Sequence, residues 1–269
     1  MHGRVLVIAG SDSGGGAGIQ ADIKSVTAMG AYAMTAVTAL TAQNTEGVFG
    51  IHAVPTGFIR QQIELCLTDI GADCIKTGML ATTAVIETVV EAIGAFAKGV
   101  PLVADPVMIA KGGAPLLEPS AIEAVRRLLL PRATLITPNL PEAEALCGRK
   151  IDSADGMQSA GAALLALGPK AVLMKGGHLP GPLVRDILVM PGETRVFESP
   201  RIETRHTHGT GCTLASAIAA GIAQGIPLAD AVARARAYVQ AAIKHAPGYG
   251  KGHGPLDHAV TVDPTLIDE

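Results

Sequence analysis

Short apolar runs alternate with amphipathic stretches of helical spacing along nearly the whole chain, and that alternation limits the folds open to it. Val5–Ala9 reads as a first buried strand and Met34–Leu40 as a second. Cys74–Thr77, Leu102–Ala104, Thr134–Thr137 and Ala171–Met174 follow. Between them lie sets repeating every three or four residues: Ile19, Ile23, Val26; Ile59, Ile63, Leu67, Ile70; Val85, Val89, Ile93, Phe96. Such sets bury one face of a helix, whereas short continuous apolar runs suit strands covered on both sides. The pattern predicts an α/β fold, with a mostly parallel central sheet and helices on both faces.

Local signals refine this. Ser120 with Glu123 three residues on predicts a capping box at a helix start. Residues 184–204 alternate around Pro191-Gly192-Glu193 and predict a small antiparallel hairpin at a sheet edge. Residues 108–117, with Lys111-Gly112-Gly113-Ala114-Pro115, read as a mobile flap. Beyond Gly211, two small-residue helices are predicted, one to Gln224 and one from Leu228 to His245, divided by Gly225 and Pro227. With 269 residues and no linker, repeat or low-complexity segment, one domain over 1–269 is expected.

Composition excludes several function classes. Hydrophobic residues make up 48% and charged residues 17%, which fits a packed interior rather than disorder. Only 3% are aromatic, with no Trp, so a base-stacking nucleic-acid surface lacks material. A net charge of −3 without a Lys/Arg block disfavours polyanionic or membrane partners. The cysteines at 66, 74, 147 and 212 have no Cys-x-x-Cys spacing, which favours a reducing compartment over zinc or disulfides. The first apolar run is too short for a signal-peptide core, and no run approaches the ~20 residues of a membrane span, so a cytoplasmic location is expected.

Polar and glycine clusters fall just after the predicted strands: Gly10-Ser11-Asp12, Gln43-Asn44, Thr77-Gly78-Met79, Asp105-Pro106, Pro138-Asn139 and Lys175-Gly176-Gly177. Ligands of open parallel sheets bind at the carboxyl edge of the strands, so these residues should line one crevice. Gly16-Ala17-Gly18-Ile19-Gln20-Ala21 matches a dinucleotide fingerprint, but the acidic residue required about 20 positions on is absent. No G-x-x-x-x-G-K-[ST] occurs. Thr207-His208-Gly209-Thr210-Gly211-Cys212 instead offers backbone N–H groups at a helix start, suited to charge on phosphoryl oxygens. Asn139-Leu140-Pro141-Glu142 is either a capping box or a metal approach, and Asp105 could share a Mg²⁺ water shell with Glu142.

In order, the segments are 9–13, 16–22, Thr38-Ala39-Leu40-Thr41-Ala42-Gln43-Asn44-Thr45, Lys76-Thr77-Gly78-Met79-Leu80, Asp105-Pro106-Val107-Met108, 137–142, Lys175-Gly176-Gly177-His178 and 206–212. Together they closely resemble the hydroxymethylpyrimidine/phosphomethylpyrimidine kinases of thiamine biosynthesis, within the ribokinase-like superfamily. The resemblance runs from about residue 3 to 258. It implies a three-layer ribokinase-like fold, a homodimer, and ATP with Mg²⁺. The implied reaction phosphorylates 4-amino-5-hydroxymethyl-2-methylpyrimidine to its monophosphate and then to the diphosphate.

By the same resemblance Gln43 binds the aminopyrimidine edge, with Gly10, Met79 and Val107 lining the pocket. Asn139, Lys175, Thr207 and Thr210 fall to the nucleotide, and Asp105 and Glu142 to the metal through water. Lys111 closes over phosphates, and Gly209, Gly211 and Cys212 form the catalytic turn. A helix start lowers a thiol pKa from its usual ~8.5, so Cys212 is expected as a thiolate that takes the hydroxymethyl proton. His206 and His208 are read as structural. Two departures stand out: Cys212 replaces the aspartate base of the wider superfamily, and Asp257 stands where this branch often has Asn. The rival readings are a pyridoxal kinase and a non-catalytic nucleotide-binding regulator.

Overall fold

The structure is a computed structural model that describes residues 2–110 and 113–262. The strands are β1 (Arg4–Asp12), β2 (Tyr32–Gln43), β3 (Val48–Ala53), β4 (Cys74–Thr77), β5 (Leu102–Ala104), β6 (Leu135–Ile136), β7 (Val172–Met174), β8 (Leu183–Met190) and β9 (Glu193–Pro200). They form one nine-stranded sheet in the order β3-β2-β1-β4-β5-β6-β7-β8-β9. The six from β2 to β7 in that order run parallel, while β3 and the β8–β9 hairpin pair antiparallel at the two edges. The strand order reverses between β1 and β4, which opens the carboxyl edge there for a ligand.

The helices are α1 (Gly18–Ala28), α2 (Thr56–Asp69), α3 (Thr83–Phe96), α4 (Ala121–Ala124), α5 (Leu140–Cys147), α6 (Ala154–Leu165), α7 (Thr210–Ala223) and α8 (Leu228–Lys244). Successive strand side chains point to opposite faces, and the core divides accordingly. Leu6, Ile8, Ile75 and Ile136 join Ile59, Ile63, Val89, Leu146 and Leu164 of α2, α3, α5 and α6. Val5, Val7, Val103 and Leu135 join Val26, Ile218, Val232 and Val239 of α1, α7 and α8. Three layers result, as the resemblance implied.

One local expectation fails, and one strand was not foreseen. Ser120 has helical backbone angles (φ −64°, ψ −23°) and its side chain makes no capping bond, because a residue already inside the turn aims its hydroxyl away from the N3 amide. The strand β3 carried no clear signal, since its side chains are exposed or only partly buried and no core face imposes alternation on them. In the flap, Leu116 N–H donates to Met108 O at 2.8 Å, and Ile109 bridges Pro115. Lys111 lies outside the described residues. Among the described residues no helix is long and apolar enough to cross a membrane.

Candidate active site

One cavity of about 690 Å³ opens at the carboxyl edge of the parallel strands. Gly10, Gln43, Met79 and Val107 line one part of it, and Asp105, Asn139, Glu142 and Lys175 another. Thr207, Gly209, Thr210, Gly211 and Cys212 also line it. Every proposed site residue within the described segments therefore reaches the same cavity. The chain supplies them from strand ends because parallel β-α units turn there, leaving loop residues free of the core.

At its centre Lys175 Nζ lies 2.9 Å from Asp105 Oδ1 and 3.8 Å from Glu142 Oε2. Thr137 Oγ1 donates to the same Asp105 oxygen at 2.9 Å. Burial works against the Asp105 charge, but Lys175 and Lys76 outweigh it and hold the carboxyl below its ordinary range. Glu142 fares differently. Burial, with Asp105 nearby, pushes it up to about 7 against the pull of Lys175. The local and functional readings of this stretch hold together. Asn139 N–H donates to Glu142 Oε2 at 2.7 Å and Glu142 N–H to Asn139 Oδ1 at 2.9 Å, a complete capping box that also fixes the carboxylate beside Lys175.

The glycine turn meets this cluster. A Cβ on Gly211 would stand 3.2 Å from Lys175 Nζ and 3.6 Å from Asp105 Oδ2. Gly209 adopts φ +80° as the N-cap of α7, and a Cβ there would collide with Gly16 O. The two glycine-rich segments thus pack directly on one another. Gly10 lets Met79 approach: a Cβ there would stand 3.0 Å from Met79 Sδ.

Cys212 departs from expectation. Burial, with Asp22 and Asp105 in support, pushes its thiol up to about 12 despite Lys76. It rests as a thiol, because loss of solvent and two carboxylates outweigh one ammonium and the helix start.

Sequence reasoning missed a second polar group at the cavity wall, which Lys76 helps to line. Lys76, fully buried, lies 2.8 and 2.9 Å from the two Asp22 oxygens, and Ser216 Oγ donates to Asp22 Oδ1 at 2.6 Å. Its signals were a lysine inside an apolar strand and an aspartate on the apolar stripe of α1. Asp12 and His208 were also missed as a pair: His208 Nε2 lies 2.8 Å from Asp12 Oδ2. Among the described residues His206 Nδ1 is buried without a hydrogen-bond partner.

A parallel sheet that gathers a buried ammonium, two carboxylates and a backbone N–H turn at one edge is the apparatus of a phosphotransferase with the ribokinase-like fold. Known proteins resemble this chain over nearly its whole length. The family model for phosphomethylpyrimidine kinase matches residues 12–257, and the chain belongs to that family. It is 48% identical over 262 residues to a thiamine biosynthesis bifunctional protein of Geobacter sulfurreducens, covering 97% of this chain and 53% of that one. The chain thus spans about half of that relative. A hydroxymethylpyrimidine/phosphomethylpyrimidine kinase of Bacillus subtilis is 44% identical over 256 residues, with 95% and 94% coverage. The ADP complex of a Bacillus subtilis pyridoxal kinase superposes with a TM-score of 0.89 at 37% identity, covering 96% and 98%.

Proposed function

We propose that the chain transfers the terminal phosphoryl group of ATP to the hydroxymethyl group of 4-amino-5-hydroxymethyl-2-methylpyrimidine, and then phosphorylates the monophosphate to the diphosphate. The observation that carries this reading is the approach of the Gly209–Cys212 turn to Lys175 across a cavity that Gln43 also lines. Phosphoryl transfer through a loose transition state asks for alignment and charge neutralisation more than covalent help. The turn's N–H groups and Lys175 receive the charge on the moving phosphoryl oxygens, and Asn139, Thr207 and Thr210 hold the nucleotide. Gln43 orients the pyrimidine against Gly10, Met79 and Val107, and Lys111 is assigned to charge on the phosphates.

Asp105 and Glu142 fit a Mg²⁺ that arrives with the nucleotide. Both carboxylates are buried beside Lys175, and burial first, then Asp105, raises Glu142 to about 7, so a nearby cation would favour its charged form. Among the described residues no set of three acidic, His or Cys side chains could cage a metal, so such an ion would keep its waters, as Mg²⁺ does. When bound, it would neutralise phosphate charge. We further assign the chain a single domain, a cytoplasmic location and a homodimeric state.

The test is ADP release with ATP and Mg²⁺ over a panel of hydroxymethylpyrimidine, its monophosphate, pyridoxal and ribose. Turnover of both pyrimidines well above pyridoxal is expected, with Lys175→Met slower on both. A second reading, pyridoxal phosphorylation, is favoured by the likeness to the Bacillus subtilis pyridoxal kinase. Turnover of pyridoxal alone would replace the first reading with it.

A further inference from the structure

The contacts around Gln43 hold a contradiction. Asp12 Oδ2 accepts the Ala17 N–H at 2.8 Å and the Gly16 N–H at 3.2 Å, Oδ1 accepts the Gly14 N–H at 2.8 Å, and His208 Nε2 lies 2.8 Å from Oδ2. Burial works to raise the Asp12 carboxyl, yet His208 and these amides together hold it below its ordinary range, so it is ionised. An ionised carboxylate only accepts, so His208 Nε2 carries its proton and donates. That same nitrogen lies 3.2 Å from Gln43 Nε2, and two N–H donors make no bond. On the opposite side Thr41 Oγ1 gives its one proton to Ser11 O at 2.9 Å while facing Gln43 Oε1 at 3.2 Å, where two acceptors meet. One half-turn of the Gln43 carboxamide removes both conflicts, because its nitrogen and oxygen are nearly the same size. The oxygen then shares, in a three-centre bond, the one Nε2 proton that His208 gives Asp12, and the nitrogen donates to Thr41 Oγ1.

We propose that Asp12, His208 and Thr41 are positioning residues that lock the Gln43 carboxamide in this orientation, and that the lock sets the site's preference for a 4-aminopyrimidine edge. The proposal rests on the pyrimidine reading above and deepens it. Locked, Gln43 keeps one N–H and one oxygen lone pair in fixed order. A 4-aminopyrimidine presents a ring-nitrogen acceptor beside an exocyclic donor, whereas its 4-oxo analogue presents an N–H donor beside a carbonyl acceptor. A freely turning amide serves either edge. A locked amide serves one, and the other costs the bonds to His208 and Thr41. The anchor is rigid. Asp12 is tied to three backbone amides of the glycine loop, and a Cβ on Gly16 would stand 2.5 Å from His208 Cδ2, so glycine is what admits the ring.

The experiment is calorimetric binding, without ATP, of hydroxymethylpyrimidine and its 4-oxo analogue to wild type, Thr41→Val, His208→Phe and the double variant. Wild type should prefer the amino compound. Each single variant should lower that preference about five- to tenfold, the worth of one hydrogen bond, and the double variant further. General damage to the pocket would weaken both ligands alike and leave their ratio unchanged. Thr41 lies outside the 207–212 turn, so Thr41→Val decides the matter even if His208→Phe does not fold. An unchanged ratio in Thr41→Val overturns the lock while leaving the substrate reading intact. Wild-type protein that binds neither pyrimidine overturns the substrate reading, and the lock falls with it.

Discussion

Cys212 lines the cavity in the first turn of α7, and burial keeps it a thiol with its pKa pushed up to about 12. Well below that value the thiolate fraction grows tenfold per pH unit. If Cys212 takes the hydroxymethyl proton, the first phosphorylation should speed up steadily from pH 7 to 9. The second should not, because a phosphate monoester, with a second pKa of about 6, is already a dianion and needs no base. Cys212→Ala should therefore slow the first step roughly a hundredfold or more, flatten its pH profile and leave the second nearly intact. Steady-state rates on each acceptor would decide, and equal losses on both would reduce Cys212 to a structural part of the turn. The sequence exposed this residue, with Lys175, Asn139 and Glu142, because each follows a strand end or opens a helix. It did not expose the Asp12–His208 pair or the Lys76–Asp22–Ser216 group. Their partners are separated by up to 196 positions, and only the folded sheet brings them together.

The Lys76–Asp22–Ser216 group ties β4, α1 and α7 at the cavity wall. A fully buried ion pair contributes little net stability, but one charge left alone there is costly. Lys76→Met should destabilise the protein by about 3–5 kcal/mol in urea unfolding, and adding Asp22→Leu should recover most of that loss. A double variant no better than Lys76→Met would show that the pair is needed as charge. A second tie joins the C-terminal segment to α7 and α8: Thr213 Oγ1 lies 2.9 Å from His258 Nε2, and Tyr238 donates to His258 O at 2.9 Å. Burial, helped by Lys24, pushes His258 down to about 4. An unfolded histidine titrates near ~6.5, so between about pH 6.5 and 4 the unfolded chain takes a proton the folded one refuses, and stability falls with pH. His258→Gln should lose part of that acid-side fall in melting temperature; a fall identical to wild type would contradict the assignment. The elements themselves were legible where burial imposed a period. All six runs read as strands lie in the sheet, because both their faces are covered. The strand β3 and the non-capping Ser120 were not legible, since exposure leaves β3 patternless and Ser120 is set by the turn around it.

Along one edge of the sheet β3 has no outer strand among the described residues, with Phe49 73% and Ile51 48% exposed on the same side. On α2, which packs beside β2, Phe58 is 56% and Leu65 61% exposed. Open edges with apolar side chains are protected in stable proteins, usually by charge, by distortion or by another chain, and β3 itself carries no Lys, Arg, Asp or Glu. A second copy is the cover consistent with the proposed homodimer. The same β2–β3 pair carries Thr41 and Gln43, so the proposed interface and the proposed acceptor pocket share a support. The wild type should sediment at twice the chain's mass at micromolar concentration, and Phe49→Asp with Ile51→Lys should yield a folded monomer. Because the loosened edge holds Gln43, KM for the pyrimidine should rise several-fold while KM for ATP, proposed to bind at Asn139 and Lys175, stays within about twofold, the usual reach of an uncoupled site. A wild-type monomer would overturn the interface. A monomeric variant with an unchanged pyrimidine KM would confine it to assembly, and show that the glycine loop alone holds the pocket in register.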